Sequence, residues 1–178
     1  MKTLIVIPAR MASIRFPNKP MFIINGKPMI QRVWERAISS KLGDVMVACS
    51  EKVVQNHIIS IGGKAELTDP NLPSGTDRIF AAIQNNVNID QYDSIINLQG
   101  DMPFINSKDI ALVNIPLKQG FDIGTLVTDL KTEEREDNNV TKASIDWIRK
   151  KIIGKAIDFN KNINFLIGKE YYHHVGIY

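Results

Sequence analysis

Three cations fall within ten residues in Pro8-Ala-Arg10-Met-Ala-Ser13-Ile-Arg15-Phe-Pro-Asn-Lys19-Pro20, directly after an apolar run. A nucleoside triphosphate carries several negative charges on a short phosphate chain, and clustered Arg and Lys are what holding one requires. A basic surface loop without a ligand has the same composition. The spacing is neither that of a P-loop nor Gly-x-Gly-x-x-Gly, which excludes the ATPase and dinucleotide fingerprints. A second stretch, Leu72-Pro-Ser74-Gly75-Thr76-Asp77-Arg78, lets backbone approach a base or ribose closely at Gly75. Ser74 or Thr76 could equally cap a helix without touching a ligand. A third stretch, Asn97-Leu-Gln99-Gly100-Asp101-Met-Pro103, sets a carboxylate just past an apolar run. Mg2+ takes a few hard protein oxygens and fills its shell with phosphate and water, so Asp101 is the first choice of metal ligand. A Gly-Asp turn after a strand is also a common structural feature.

The elements that must position these loops alternate. Thr3–Ile7 reads as a strand covered on both faces. Met29–Ser40 reads as a helix with Ile30, Val33, Trp34, Ala37 and Ile38 on one stripe. Val45–Cys49 is a second strand, and Val53–Ile61 a helix closed by Gly62-Gly63. A strand at 64–67, a helix at 76–85 and a strand at 94–98 follow. This β-α order predicts an α/β fold with a mostly parallel, doubly wound sheet in three α/β/α layers, where ligands gather at the carboxyl ends of the strands. Beyond Asn106 we expect a helix at 107–117, strands at 123–130, 142–148 and 154–159, and a final strand-like segment 173–178. The charged run Lys131-Thr-Glu-Glu-Arg-Glu-Asp137 reads as a solvated turn or helix face.

Composition sets outer bounds. With 178 residues, 44% hydrophobic and 23% charged, the chain is expected to form one soluble domain over 1–178. A net charge of +3 from scattered cations gives little support to a nucleic-acid or membrane-surface role. The single cysteine, Cys49, lies in an apolar run and reads as a buried hydrophobe in a reducing compartment. Pro8 and Arg10 interrupt the first apolar run before signal-peptide length, and no run reaches a membrane span, so a cytoplasmic location is expected. Adjacent His173 and His174 on a strand point to opposite faces and do not chelate one ion together.

The joint order of Pro-Ala-Arg-x-x-Ser-x-Arg-x-Pro-x-Lys-Pro, Asn25-Gly-Lys-Pro-Met29, Ser-Gly-Thr-Asp-Arg, Gln-Gly-Asp-x-Pro and His174-Val-Gly-Ile-Tyr178 resembles the 3-deoxy-manno-octulosonate (KDO) cytidylyltransferases over nearly the whole chain. Sialic-acid cytidylyltransferases share the scheme but resemble the chain less at Ser-Gly-Thr-Asp-Arg and His-Val-Gly-Ile-Tyr. The resemblance implies a Rossmann-like sheet of the nucleotide-diphospho-sugar transferase type and the reaction of CTP with KDO to give CMP-KDO and diphosphate, for lipopolysaccharide biosynthesis. It implies that Arg10, Arg15 and Lys19 hold the CTP phosphates, that Ala9, Ser74, Gly75, Thr76 and Gln99 line the cytidine, and that Asp101 ligates Mg2+. Arg10, Lys19 and Asp101 are then the candidates for catalysis, while His174 and Tyr178 lie near the sugar. A homodimer formed partly through the later strands is also implied.

Two departures qualify the resemblance. The family's sugar-binding Ser-Arg followed by Ile-Pro reads Phe159-Asn160-Lys161-Asn-Ile163-Asn164 here, and Lys161 lacks the planar fork that matches a carboxylate. Family members also continue for roughly 70 residues, by resemblance, supplying a Glu-Gln sugar contact and a second metal-binding Asp. On that basis the carboxyl-terminal portion of the fold is expected to be missing. If these residues are the whole molecule, weak Mg2+·CTP binding and slow or no turnover are expected. The alternative class is then a remnant acting as a nucleotide-binding or dimerising module.

Overall fold

A computed structural model describes residues 1–12, 16–86, 88–149 and 151–178. The sequence reading treats 1–178 as one domain; the chain packs as two compact units, Met1–Asn114 with Ile177–Tyr178, and Ile115–Gly176.

The first unit is built on strand β1 (Thr3–Ala9), every residue of which is buried. It is followed by a small hairpin, β2 (Ile23–Ile24) with β3 (Lys27–Pro28), then helix α1 (Met29–Ser39), β4 (Gly43–Cys49), α2 (Lys52–Ser60), β5 (Lys64–Leu67), α3 (Gly75–Asn86), β6 (Ser94–Asn97) and α4 (Ser107–Leu112). The sheet order is β5-β4-β1-β6 and every pairing is parallel. Because side chains alternate along a strand, Leu4, Val6, Met46 and Ala48 share one face, where they pack with Ile79, Ala82 and Ile83 of α3. On the other face Ile7 and Ile30 of α1 close around Gly100, and α2 is tied to α1 by His57 Nε2 and Gln31 Oε1 at 3.0 Å. Helices therefore cover both faces, giving three layers. Gly43 opens β4 so close to β1 that a Cβ there would lie 1.9 Å from the Thr3 carbonyl oxygen.

Most expected elements form within a residue or two of their anticipated ends. In α1, Ile30, Val33 and Ala37 are buried, but Ile38 is 47% exposed and Trp34 only partly buried; the apolar stripe is one residue narrower than its sequence suggests. The helix expected over 107–117 stops at Leu112. Pro116 has no N–H to donate and disfavours helical backbone at the residue before it, so only a 3-10 turn at Leu117–Gln119 follows.

The second unit is an antiparallel sheet of β7 (Val127–Asp129), β8 (Lys142–Arg149), β9 (Ile153–Asn160) and β10 (Tyr171–His174) in the order β7-β10-β8-β9. β7 is shorter than the expected 123–130 because its partner β10 has four residues and pairs only with Val127–Asp129. The charged run holds one 3-10 turn at Thr132–Glu134, where Glu134 bonds His173 Nδ1 at 3.1 Å. Buried Lys142 donates from Nζ to the carbonyls of Asp137 and Lys161, both at 2.6 Å. The expected strand 173–178 is broken. Gly176 takes φ +83°, a left-handed conformation that favours glycine, and Tyr178 belongs to the first unit. There Asn97 N–H donates to Tyr178 O at 2.7 Å and Tyr178 N–H to Asn97 O at 3.3 Å.

Candidate active site

In the first unit β1 ends at Ala9 and β6 at Asn97, so the loops that follow them, with the amino terminus of α3, meet at the carboxyl edge of the sheet. They enclose a cleft of about 240 Å3 lined by Ala9, Arg10, Lys19, Ser74, Gly75, Gln99 and Asp101, with Pro8, Pro20, Arg78 and Gly100. Seven of the sequence-predicted site residues thus converge on one cavity. Three cationic residues and one carboxylate line it, a balance suited to a polyphosphate. Lys19 begins a 3-10 turn, Lys19–Met21, preceded by Asn18 at φ 60° and anchored by buried Pro20. Its Nζ lies 2.5 Å from Asp101 Oδ2, and the two side chains are 31% and 49% exposed. The loop after β1 is pinned by Met11 N–H donating to Glu51 Oε2 at 3.1 Å and Asn18 N–H donating to Met11 O at 3.0 Å. Arg15 lies outside the described residues.

Close packing of backbone shapes the cleft. A Cβ on Gly100 would sit 2.6 Å from Pro8 O, and one on Gly75 3.2 Å from Pro8 Cγ. Ser74 caps α3: Asp77 N–H donates to Ser74 Oγ at 3.1 Å, and Ser74 Oγ donates to Asp77 Oδ2 at 2.5 Å. The capping role weighed from the sequence is therefore filled by Ser74, on the cleft wall. Thr76 does not line the cleft; its Oγ1 is 2.7 Å from Tyr178 Oη.

Sequence reasoning missed Arg78. It is 2% exposed and donates from one nitrogen to Thr68 Oγ1 at 2.5 Å and Asp69 O at 3.1 Å, and from another to Pro70 O at 3.5 Å. Burial draws its pKa down from the usual arginine value. Its place at the end of Ser-Gly-Thr-Asp-Arg was visible, but only the fold shows that it braces the turn after β5. Cys49 is buried, and loss of hydration, with Glu51 nearby, pushes its thiol up to about 12, which leaves it protonated and unsuited to nucleophilic work.

A family model described as cytidylyltransferase matches residues 4–178. The 3-deoxy-manno-octulosonate cytidylyltransferase of Paramagnetospirillum magneticum is 41% identical, over 98% of this chain and 72% of its own length. That of Rhodospirillum centenum is 38% identical, over 98% and 69% respectively. This chain belongs to the 3-deoxy-manno-octulosonate cytidylyltransferase family. A solved structure of CMP:2-keto-3-deoxy-manno-octonic acid synthetase complexed with CTP superposes with a TM-score of 0.84 at 32% identity, covering 99% of this chain and 73% of that one.

The remaining residues expected at the sugar divide between the units. Tyr178 lies in the first, against Thr76 and Asn97. Lys161 and His174 lie in the second unit of this family member, where Lys161 is exposed at the end of β9. His174 Nε2 is 2.8 Å from Thr125 Oγ1, and its ring meets Phe159 edge-on at 5.0 Å. His173 instead turns to Glu134, so the two histidines serve different partners, and among the described residues no group of three His, Cys, Asp or Glu converges as a metal site.

Burial, with the neighbouring His173, depresses the His174 pKa below its ordinary 6.5. The unfolded chain then takes up this proton more readily than the folded one, so the stabilisation is fully present above about pH 6.5 and is lost as pH falls toward the folded pKa. Thermal melts between pH 7.5 and 5.0 should show a decline for the native chain that is shallower for His174→Gln. Parallel declines would exclude His174 as the titrating group.

Proposed function

We propose that the chain transfers CMP from CTP to KDO, releasing diphosphate. The observation that carries the reading is the convergence of Arg10, Lys19, Asp101, Ser74, Gly75 and Gln99 on one cleft at the carboxyl edge of a parallel sheet. That is where α/β sheets bind nucleotides, and the reading accords with the curated names of the relatives. In it the anomeric hydroxyl oxygen of KDO attacks the α-phosphorus in line and the pyrophosphate oxygen leaves, so one P–O bond forms as another breaks while the hydroxyl proton passes to solvent. Arg10 and Lys19 neutralise charge on the phosphates, and the narrow Pro8, Gly75 and Gly100 walls orient the nucleoside.

Asp101 fits a role in holding Mg2+. It is a half-exposed carboxylate on the cleft wall with one oxygen engaged by Lys19, and Mg2+ commonly takes one or two protein carboxylates with the substrate phosphates. Bound there, the ion would withdraw charge from the reacting phosphate oxygens. The fold places no helix among the described residues that is long and apolar enough to cross a membrane, and a cytoplasmic location suits a CTP-dependent reaction. A homodimer through the second unit is supported by its exposed Ile148, Ile157, Phe159, Phe165 and Ile167, which solvent alone would leave unfavourably hydrated.

Diphosphate release measured with Mg2+·CTP and either KDO or N-acetylneuraminate tests the choice of sugar acid. Release dependent on KDO is expected; release driven only by N-acetylneuraminate would overturn it.

A further inference from the structure

A chain of hydrogen bonds runs behind the cleft wall and fixes the direction of one amide. Gln99 Nε2 donates to Asn97 Oδ1 at 3.0 Å, Asn97 Nδ2 donates to Tyr178 Oη at 2.8 Å, and Tyr178 Oη lies 2.7 Å from Thr76 Oγ1. Asn97 is 4% exposed, and two backbone bonds to Tyr178 hold it beside that residue. With Asn97 Nδ2 turned to the tyrosine, its Oδ1 faces Gln99, which answers with its own NH2. The Gln99 carbonyl is thereby the free end, and Oε1 lies 3.9 Å from where a Cβ on Gly75 would be, on the wall of the cleft.

We propose that Asn97 and Tyr178 are positioning residues that set Gln99 as a hydrogen-bond acceptor in the cleft, and that this acceptor selects cytosine over uracil. The 4-amino group of cytosine donates a hydrogen bond; the 4-oxo group of uracil offers only lone pairs and would face Oε1 unpaired. A site built around an oriented acceptor rejects the analogue that lacks the donor, because the acceptor is left desolvated without a partner. Tyr178 then serves the nucleotide through two intervening side chains, although the family resemblance implied a place near the sugar. The inference rests on the cleft being a cytidine nucleotide site.

Calorimetric titration of the full chain with Mg2+·CTP and with Mg2+·UTP separates the possibilities. The native chain should prefer CTP. Gln99→Leu, a change on the cleft wall that leaves the core alone, should lower the CTP-to-UTP affinity ratio about tenfold, the scale of one hydrogen bond. Tyr178→Phe removes only the hydroxyl that orients Asn97 and should lower the ratio by about two- to threefold. Asn97→Asp keeps an acceptor for Gln99 Nε2 and should retain most of the native ratio. A purely structural role for Asn97 and Tyr178 would weaken both nucleotides equally and leave the ratio unmoved. If Gln99→Leu binds CTP with the native preference, or Asn97→Asp loses the preference as fully as Gln99→Leu, the positioning chain is wrong while the nucleotide site stands. Equal native affinity for CTP and UTP has the same consequence. A native chain that binds neither nucleotide overturns the site and the inference together.

Discussion

Asp101→Asn is expected to lower kcat/KM for KDO-dependent diphosphate release by about 10²- to 10³-fold, the loss seen when one transition-state charge partner is removed. The substitution keeps the size and polarity of the side chain and removes its charge, so it tests the carboxylate itself. Stability should hardly change. The pair with Lys19 is short, at 2.5 Å, but both side chains are well exposed, and exposed pairs contribute only about 0–1 kcal/mol. The cleft of the variant also becomes more positive, so CTP affinity measured without divalent cation should hold or rise as turnover falls. Steady-state kinetics with thermal melts on the same preparations checks both parts. A variant with near-native turnover would remove Asp101 from the reaction.

Arg78→Met should destabilise the fold by about 2–4 kcal/mol, since methionine fills much of the volume but leaves Thr68 Oγ1 and the carbonyls of Asp69 and Pro70 without their charged donor. Unlike the Lys19–Asp101 pair, this guanidinium is 2% exposed, so water does not readily replace the lost bonds. Because Arg78 also lines the cleft, weaker CTP binding should accompany the lower denaturation midpoint. Urea titration reads the first effect; a midpoint within error of the native chain would show that the turn at 68–70 holds without it.

What the sequence made legible follows from the range of the forces involved. Continuous apolar runs and 3.6-residue stripes are local, and β1, α1, β4, α2, β5 and α3 form close to their expected ends. The three loops were legible because their order along the chain combined with one topological rule, that ligands collect at the carboxyl edge of a parallel sheet. Long-range pairings were not. Nothing in Asn97 by itself marks it as the partner of Tyr178, 81 residues away, and nothing in Gly176 states that the chain turns there to bring Ile177 and Tyr178 into the first unit. Nothing in the sequence marks Arg78 and Lys142 as buried, since arginine and lysine are almost never fully buried. Here backbone carbonyls, with Thr68 Oγ1 for Arg78, satisfy both, and only folding creates those partners. α4 ends at Leu112, short of the expected 117, because Pro116 cannot continue a helix even though apolar residues run up to it.

Phosphorus-31 NMR of the chain with Mg2+, CTP and KDO, at protein concentrations comparable to the substrates so that a single turnover registers, tests the proposed reaction most directly. Expected is loss of the three CTP resonances with growth of a phosphodiester signal and a diphosphate signal of twice its intensity, since diphosphate carries two equivalent phosphorus atoms, both dependent on KDO and abolished or greatly slowed in Asp101→Asn. CTP that stays intact, or that gives free CMP with no phosphodiester, would contradict direct transfer to the sugar.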